Sequence, residues 1–181
     1  MNAPTSSSHR PPKHPDQHPS EDLVAVYASG ALDEASGLAI ASHLTLCPSC
    51  RATAALYEAL GGGMIEDLPA TPMAEGALAA TLARAKATPT NRHIAASLGT
   101  KSNQPILPAP LRQYVGGDVD SVQWRALAPG IHHMPLVSAG NVTARLLRIS
   151  PARAVFDHSH GGTELTLVLK GSYTAQGQRY A

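Results

Sequence analysis

The sequence predicts an α+β protein of two domains, with an all-α N-terminal half and an all-β C-terminal half. Apolar residues recur at helical spacing in the first half and at strand spacing in the second. A stretch rich in proline and small polar residues separates the two halves. The predicted parts are a disordered tail over 1–17, a helical domain over 18–88, a linker over 89–110 and a β domain over 111–181.

Composition limits the class of protein. The chain has 181 residues, of which 43% are hydrophobic and only 4% aromatic, so its core must be mainly aliphatic. No apolar run approaches the roughly 20 residues that span a bilayer. The N-terminus also lacks the apolar segment of a secretory signal. We therefore expect a cytoplasmic protein with no membrane partner.

Charge is divided unevenly between the two halves. Residues 18–88 carry three basic and eight acidic side chains, a net charge of −5. Residues 89–181 carry nine basic and four acidic side chains, a net charge of +5. An acidic module attracts a basic partner and repels nucleic-acid phosphate. We therefore expect no direct binding of nucleic acid by the helical domain.

Four helices are predicted in the first half. Ser20 is a suitable N-cap for the first helix, and Gly30 ends it. Pro48 suits the first position of the third helix, and three consecutive glycines after Leu60 are expected to stop it. The predicted helices cover about 20–30, 33–46, 48–60 and 73–86.

A cluster of metal-ligand residues lies at the predicted corner between the second and third helices. It has the pattern His43-x3-Cys47-x2-Cys50 and contains both cysteines of the chain. His43 and Cys47 are four residues apart, which places them on one face of a helix, and two thiolates at the x2 spacing can bind one ion. A redox pair or small buried side chains are the alternatives. A tetrahedral zinc site needs a fourth ligand, for which His18 is one candidate.

The helical segment is alanine-rich and buries little apolar area, so packing alone rarely stabilises it. A structural zinc contributes on the order of 10 kcal/mol or more in small zinc modules. The metal prediction and the thin core therefore support each other.

The second half shows strand patterns. Residues 142–149 and 165–169 are predicted strands, with Gly, Pro, Asn and Ser between the apolar runs. The pattern favours a β-sandwich or barrel.

A second possible metal site lies in the β half. His158 and His160 are two apart, so in a strand they share a face, and Glu164 follows after a glycine turn. Two imidazoles and a carboxylate are suitable ligands for zinc, manganese or iron. A loop with incidental histidines is the alternative.

Both clusters together resemble the ChrR-type zinc-binding anti-sigma factors, in which an anti-sigma domain precedes a cupin-like domain. The stretch from His18 to Cys50 is similar to the family's H-x24-H-x3-C-x2-C signature. This resemblance implies that His18 is the fourth zinc ligand, and that the first domain is an anti-sigma helical bundle.

The C-terminal half resembles the first cupin motif, through His158, His160, Glu164 and Gly171, with Ala152 at the motif's leading glycine. The resemblance implies a partial cupin-like barrel whose metal lacks a fourth ligand in this chain. The second cupin motif should lie beyond Ala181, so we expect either a truncated domain or a barrel that is completed by something else.

The function implied by the resemblance is inhibition of an extracytoplasmic-function sigma factor. The cupin-like domain would then be a sensor that releases the sigma factor under singlet-oxygen or hydroperoxide stress. We expect a zinc ion in the first domain, zinc or another divalent metal in the second, and no enzymatic activity. Candidate sigma contacts, which also suit an internal core, are Leu23, Val26, Tyr27 and Leu78. The alternatives are a metal-dependent cupin enzyme of dioxygenase or isomerase type and a nucleic-acid-binding zinc module.

Overall fold

The computed structural model describes residues 17–88, 105–153, 162–175 and 177–181. Almost all of the predicted tail and residues 89–104 of the predicted linker lie outside the described residues. Among the described residues, the helices occupy the first half of the chain and the strands the second. The predicted order of an all-α half followed by a β half is therefore confirmed.

Five α-helices and one short 3-10 helix (Val119–Ser121) are described. Side chains cap the first two helices at their N-termini, where Ser20 Oγ accepts the Leu23 N–H at 3.3 Å and Asp33 Oδ1 accepts the Ser36 N–H at 2.9 Å. No described helix is long and apolar enough to span a bilayer. The helices are α1 (Glu21–Ala28), α2 (Glu34–Leu46), α3 (Pro48–Glu66), α4 (Ala77–Ala87) and α5 (Ala109–Val115).

Helix α3 differs from the prediction at its C-terminal end. It continues through Gly61, Gly62 and Gly63 to Glu66, so the expected stop at the glycines was wrong. Each glycine in a helix interior costs about 1 kcal/mol relative to alanine, which weakens a helix without forbidding it.

Helix α4 begins later than expected because Gly76 precedes it with a left-handed φ of 78°.

The strands form two antiparallel sheets. A three-stranded sheet has the order β1 (Arg125–Ala128), β2 (Ile131–Ala139) and β3 (Val142–Ile149), and a hairpin joins β4 (Tyr173–Ala175) to β5 (Gln178–Tyr180). Strand β3 matches its prediction. The second predicted strand is wrong, because residues 165–169 form no strand in the structure. The apolar alternation there reflects packing, since Leu169 contacts the core while Leu165 is 37% exposed. A strand also needs a paired neighbour, which alternation alone does not supply.

The described chain divides into two compact units. One contains Met1–Glu58 with Pro105–Ala181, and the other contains Ala59–Gln104, within the described limits. In the first unit, helix α2 is buried on two sides. Ala35 and Leu38 join a core with α5 and the sheet, while Ile40 and Leu44 join a second core around the two cysteines. The domain boundaries inferred from the sequence stay a prediction.

Asp118 fixes the chain that leads into α5. Its carboxylate accepts the Ile106 N–H at 3.0 Å and the Leu107 N–H at 2.8 Å, and Leu107 is only 3% exposed. Burial alone would raise the pKa of Asp118. The hydrogen bonds from Leu107, Ile106 and Val119, with the charge of Arg112, outweigh burial and lower that pKa. The last residues of the predicted linker are therefore held in the folded unit.

We predict that Asp118→Asn lowers the free energy of unfolding by about 1–3 kcal/mol at pH 7. The two carboxylate oxygens accept one N–H each, whereas asparagine has a single acceptor oxygen and would turn its NH2 donor towards the second N–H. Since the folded pKa is lowered, the stabilisation is present above the unfolded value near 3.9 and is lost as pH falls through the folded value. Urea unfolding followed by Trp124 fluorescence measures both effects. The exposed Asp120→Asn is the control, and equal stability of wild type and Asp118→Asn at pH 7 would contradict the prediction.

Candidate metal centre

Four potential metal ligands converge where α1, α2 and α3 meet. The ligand atoms of His18, His43, Cys47 and Cys50 all lie within 4.8 Å of one another. His18 Nδ1 is 3.4 Å from each of the two sulfur atoms, and the rings of His18 and His43 meet edge to face at 5.9 Å. Within the described part of the chain, this is the only group of three or more potential ligands brought together. His18, a candidate for the fourth position that the local spacing left open, lies close enough to the other three residues to share an ion with them.

His18 lies just before helix α1 and is 29 residues away from Cys47 in the sequence. His18 lies two residues before the N-cap Ser20, so the start of α1 fixes its position. Val24 on α1 is buried beside the cysteines, and Tyr57 of α3 donates a hydrogen bond to Glu21 at 2.9 Å. Apolar contact and this hydrogen bond therefore hold α1 against the other two helices.

The corner between α2 and α3 presents the other three ligands. Cys47 ends α2 in an extended conformation, with its N–H bonded to the His43 carbonyl, and Pro48 begins α3. Arg51 donates to the Leu44 carbonyl at 2.7 Å, which satisfies an acceptor at the end of α2. Cys50 thus stands in the first turn of α3, three residues after Cys47.

The arrangement fits a tetrahedral zinc ion. With Zn–S bonds of about 2.3 Å and Zn–N bonds of about 2.0–2.1 Å, a sulfur and a nitrogen ligand lie about 3.5 Å apart, close to the two 3.4 Å separations at His18. His43 Nε2 is buried and has no hydrogen-bond partner. A buried polar atom without a partner is costly, and a bound cation would remove that cost.

The protonation states also suit metal binding. Burial lowers the pKa of His43, and the charge of His18 lowers it further, which favours the neutral imidazole that a metal requires. Burial alone would raise the pKa of Cys47, but hydrogen bonds from Ser49, Cys50 and His18 outweigh it and bring the pKa to about 7. Burial raises the pKa of Cys50, and Cys47 raises it further. The Cys47 thiol therefore ionises more readily than the Cys50 thiol.

Sequence reasoning missed one member of this site. The Ser49 hydroxyl lies 3.0 Å from Cys47 Sγ and supports its thiolate. Its place between the two cysteines was the available signal, since a hydroxyl two residues from a sulfur at a helix start can turn towards it.

The second predicted site has a different outcome. His158 and His160 lie outside the described residues. Glu164 is described and exposed, and it belongs to no ligand group among the described residues. The cupin metal site over His158, His160 and Glu164 stays a prediction.

An ion bound by all four residues would have no open position for a substrate, so the fold and the site are those expected of a structural metal centre in a small helical module followed by a β region. Residues 112–181 match the family described as the ChrR Cupin-like domain. The chain is 39% identical to the anti-sigma-E factor ChrR of Cereibacter sphaeroides over 163 residues, which cover 90% of this chain and 74% of that protein.

A solved structure is similar over the same extent. The crystal structure of Rhodobacter sphaeroides SigE in complex with the anti-sigma ChrR matches with a TM-score of 0.74 and 38% identity, covering 90% of this chain and 81% of that chain. The chain belongs to the ChrR family of anti-sigma factors. The family resemblance inferred from the two motifs is confirmed.

We predict that Cys47→Ser with Cys50→Ser abolishes binding of one zinc ion per chain and reduces the helical circular dichroism signal, because metal binding supplies much of the folding free energy of such modules. Ser49→Ala, which removes only the supporting hydroxyl, should retain the metal. Metal analysis and the thiolate charge-transfer band of the cobalt-substituted protein measure this. An unchanged metal content in the double variant would show that Cys47 and Cys50 are not metal ligands.

Proposed function

We propose that this protein is an anti-sigma factor that binds and inhibits an extracytoplasmic-function sigma factor in the cytoplasm. The observation that carries the proposal is the similarity to ChrR in its complex with SigE, because it covers the metal centre and the β region together. The expectation of a regulatory protein without enzymatic activity is supported by the same relatives. The alternative of a metal-dependent cupin enzyme is not favoured by them.

The metal centre supports this function through folding. We propose zinc as the ion, since two thiolates and two imidazoles in a closed site are its usual ligands in proteins. A zinc ion bound at these four residues would stabilise the folded helices and would not take part in a chemical reaction. His18 joins α1 to the corner that carries Cys47 and Cys50, so the ion would hold together three short helices whose own buried cores are small.

The second compact unit supplies an exposed apolar surface. Leu78 and Leu82 lie four residues apart on α4 and are 66% and 51% exposed, and Met64 on α3 is 73% exposed. Leu78 and Leu82 are on the same face of α4, and neighbouring exposed apolar side chains are typical of protein-binding surfaces. Leu23 and Tyr27, also proposed for sigma contact, instead pack against the core around the cysteines. Of the four candidates, Leu78 is the most exposed.

Charge supports a basic partner for this surface. Residues 52–83 contain four acidic side chains and no lysine or arginine. Such a segment attracts a positively charged protein and accelerates its association. A sigma factor, which binds DNA phosphate with basic side chains, matches this charge.

The test uses the full zinc-loaded chain and purified extracytoplasmic-function sigma factors of the source organism. We expect one of them to form a stoichiometric complex with the chain and to lose activity in transcription with core RNA polymerase. The Cys47→Ser and Cys50→Ser double variant should lose both effects. If no sigma factor of this class binds the zinc-loaded chain, the proposed function is wrong.

We predict that Leu78→Asp weakens sigma binding by about 10- to 100-fold, because burying a leucine at an interface contributes about 1.5–3 kcal/mol. The matched control is Leu127→Asp on β1, where the leucine is 53% exposed. Isothermal titration calorimetry measures the affinities, and circular dichroism checks that both variants stay folded. Equal affinities of the two variants would exclude α4 from the interface.

We propose that the cupin-like region senses oxidative stress, with a divalent metal held by His158, His160 and Glu164. Its support is the family match over residues 112–181 and the ligand pattern. We predict that His158→Ala with Glu164→Gln leaves inhibition intact in unstressed cells but blunts release of the sigma factor by singlet oxygen or hydroperoxide. A sigma-dependent reporter measures both states. Normal induction in the double variant would contradict this role.

A further inference from the structure

Three consecutive glycines lie inside helix α3 without a packing reason. A side-chain carbon added at Gly61, Gly62 or Gly63 would meet nothing within 4 Å, and all three residues are exposed. A common reason for glycine in a helix is the close approach of another segment, and no described segment comes close to these positions. The straight helix would be more stable with alanine at each of them.

The helix on the two sides of the glycines is supported very differently. On the N-terminal side, Cys50 and Ala54 are buried in the core around the metal centre. On the C-terminal side, every residue from Met64 to Glu66 is exposed, as are the residues that follow up to Gly76. The compact units also divide between Glu58 and Ala59, a few residues before the glycines. The glycines therefore lie a few residues after the last part of α3 that packs against the rest of the protein.

We propose that Gly61–Gly63 form a hinge at which α3 bends when the protein binds its sigma factor. Glycine adopts backbone conformations that other residues avoid, so a run of three can leave the helix at little steric cost. Bending there would reorient Met64 and Ile65, which are 73% and 69% exposed, while the metal-bound half of α3 stays in place. The inference rests on the proposed function, since it concerns the bound state.

The main test compares single glycine substitutions. Gly62→Ala favours the straight helix and should weaken sigma binding about fivefold, while alanine at all three glycines should weaken it by up to about 100-fold. Gly37→Ala is the matched control, because Gly37 is also helical and has nothing within 4 Å of an added side-chain carbon. That control should raise helix stability equally and leave the affinity unchanged.

A substitution of opposite effect makes the test sharper. Gly62→Pro breaks the helix at the hinge and should retain the wild-type affinity within about threefold, because it favours the bent form. Tighter binding by the alanine variants, or loss of binding by Gly62→Pro, would show that the bound helix is straight and would overturn the hinge.

Hydrogen exchange on the wild-type complex provides a readout independent of affinity. Bending breaks the backbone hydrogen bonds that cross the glycines. Amides of residues 62–66 should therefore stay exchangeable in the complex while those of 50–56 stay protected. Strong protection of residues 62–66 in the complex would overturn the hinge. Failure of the wild type to bind any sigma factor would instead count against the proposed function.

Discussion

The contact of His18 with two cysteine sulfurs is the interaction on which the helical module depends. It joins residues 29 and 32 positions apart, across the whole of α1 and α2, at equal distances of 3.4 Å. The buried cluster beside it is small and contains no side chain larger than isoleucine or leucine. Such a cluster stabilises the three helices weakly, so an ion bound by the four ligands would supply a large share of the cohesion.

Helix α2 connects this centre to the β region because it is buried on both sides. Ile40 and Leu44 contact the metal side, whereas Ala35 and Leu38 contact the sheet and α5. Tyr114 of α5 adds a hydrogen bond of 2.6 Å to Glu34 at the start of α2. The candidate metal centre and the sheet therefore both pack against α2. A displacement of α2 would alter the packing of both buried cores.

The binding surface and the metal centre have separate physical roles. Three of the four potential ligands are buried and His18 is exposed, and an ion bound by all four would stabilise the fold without catalysing a reaction. Met64, Leu78 and Leu82 are 73%, 66% and 51% exposed, so most of their apolar area is available to a partner. A metal site without an open position is therefore compatible with a protein that acts by binding another protein.

The sequence by itself determined the elements whose signals are local. Ser20, the His43–Cys47–Cys50 spacing and the β3 pattern each depend on residues within one or two turns or along one strand, and backbone periodicity converts them directly into geometry. The end of α3 and the segment at 165–169 were misjudged because glycine cost and apolar alternation are weak local preferences. Only the tertiary structure decided that α2 has two buried faces, that Asp118 holds Ile106 and Leu107, and that His18 reaches the sulfurs, because those contacts join residues far apart in sequence.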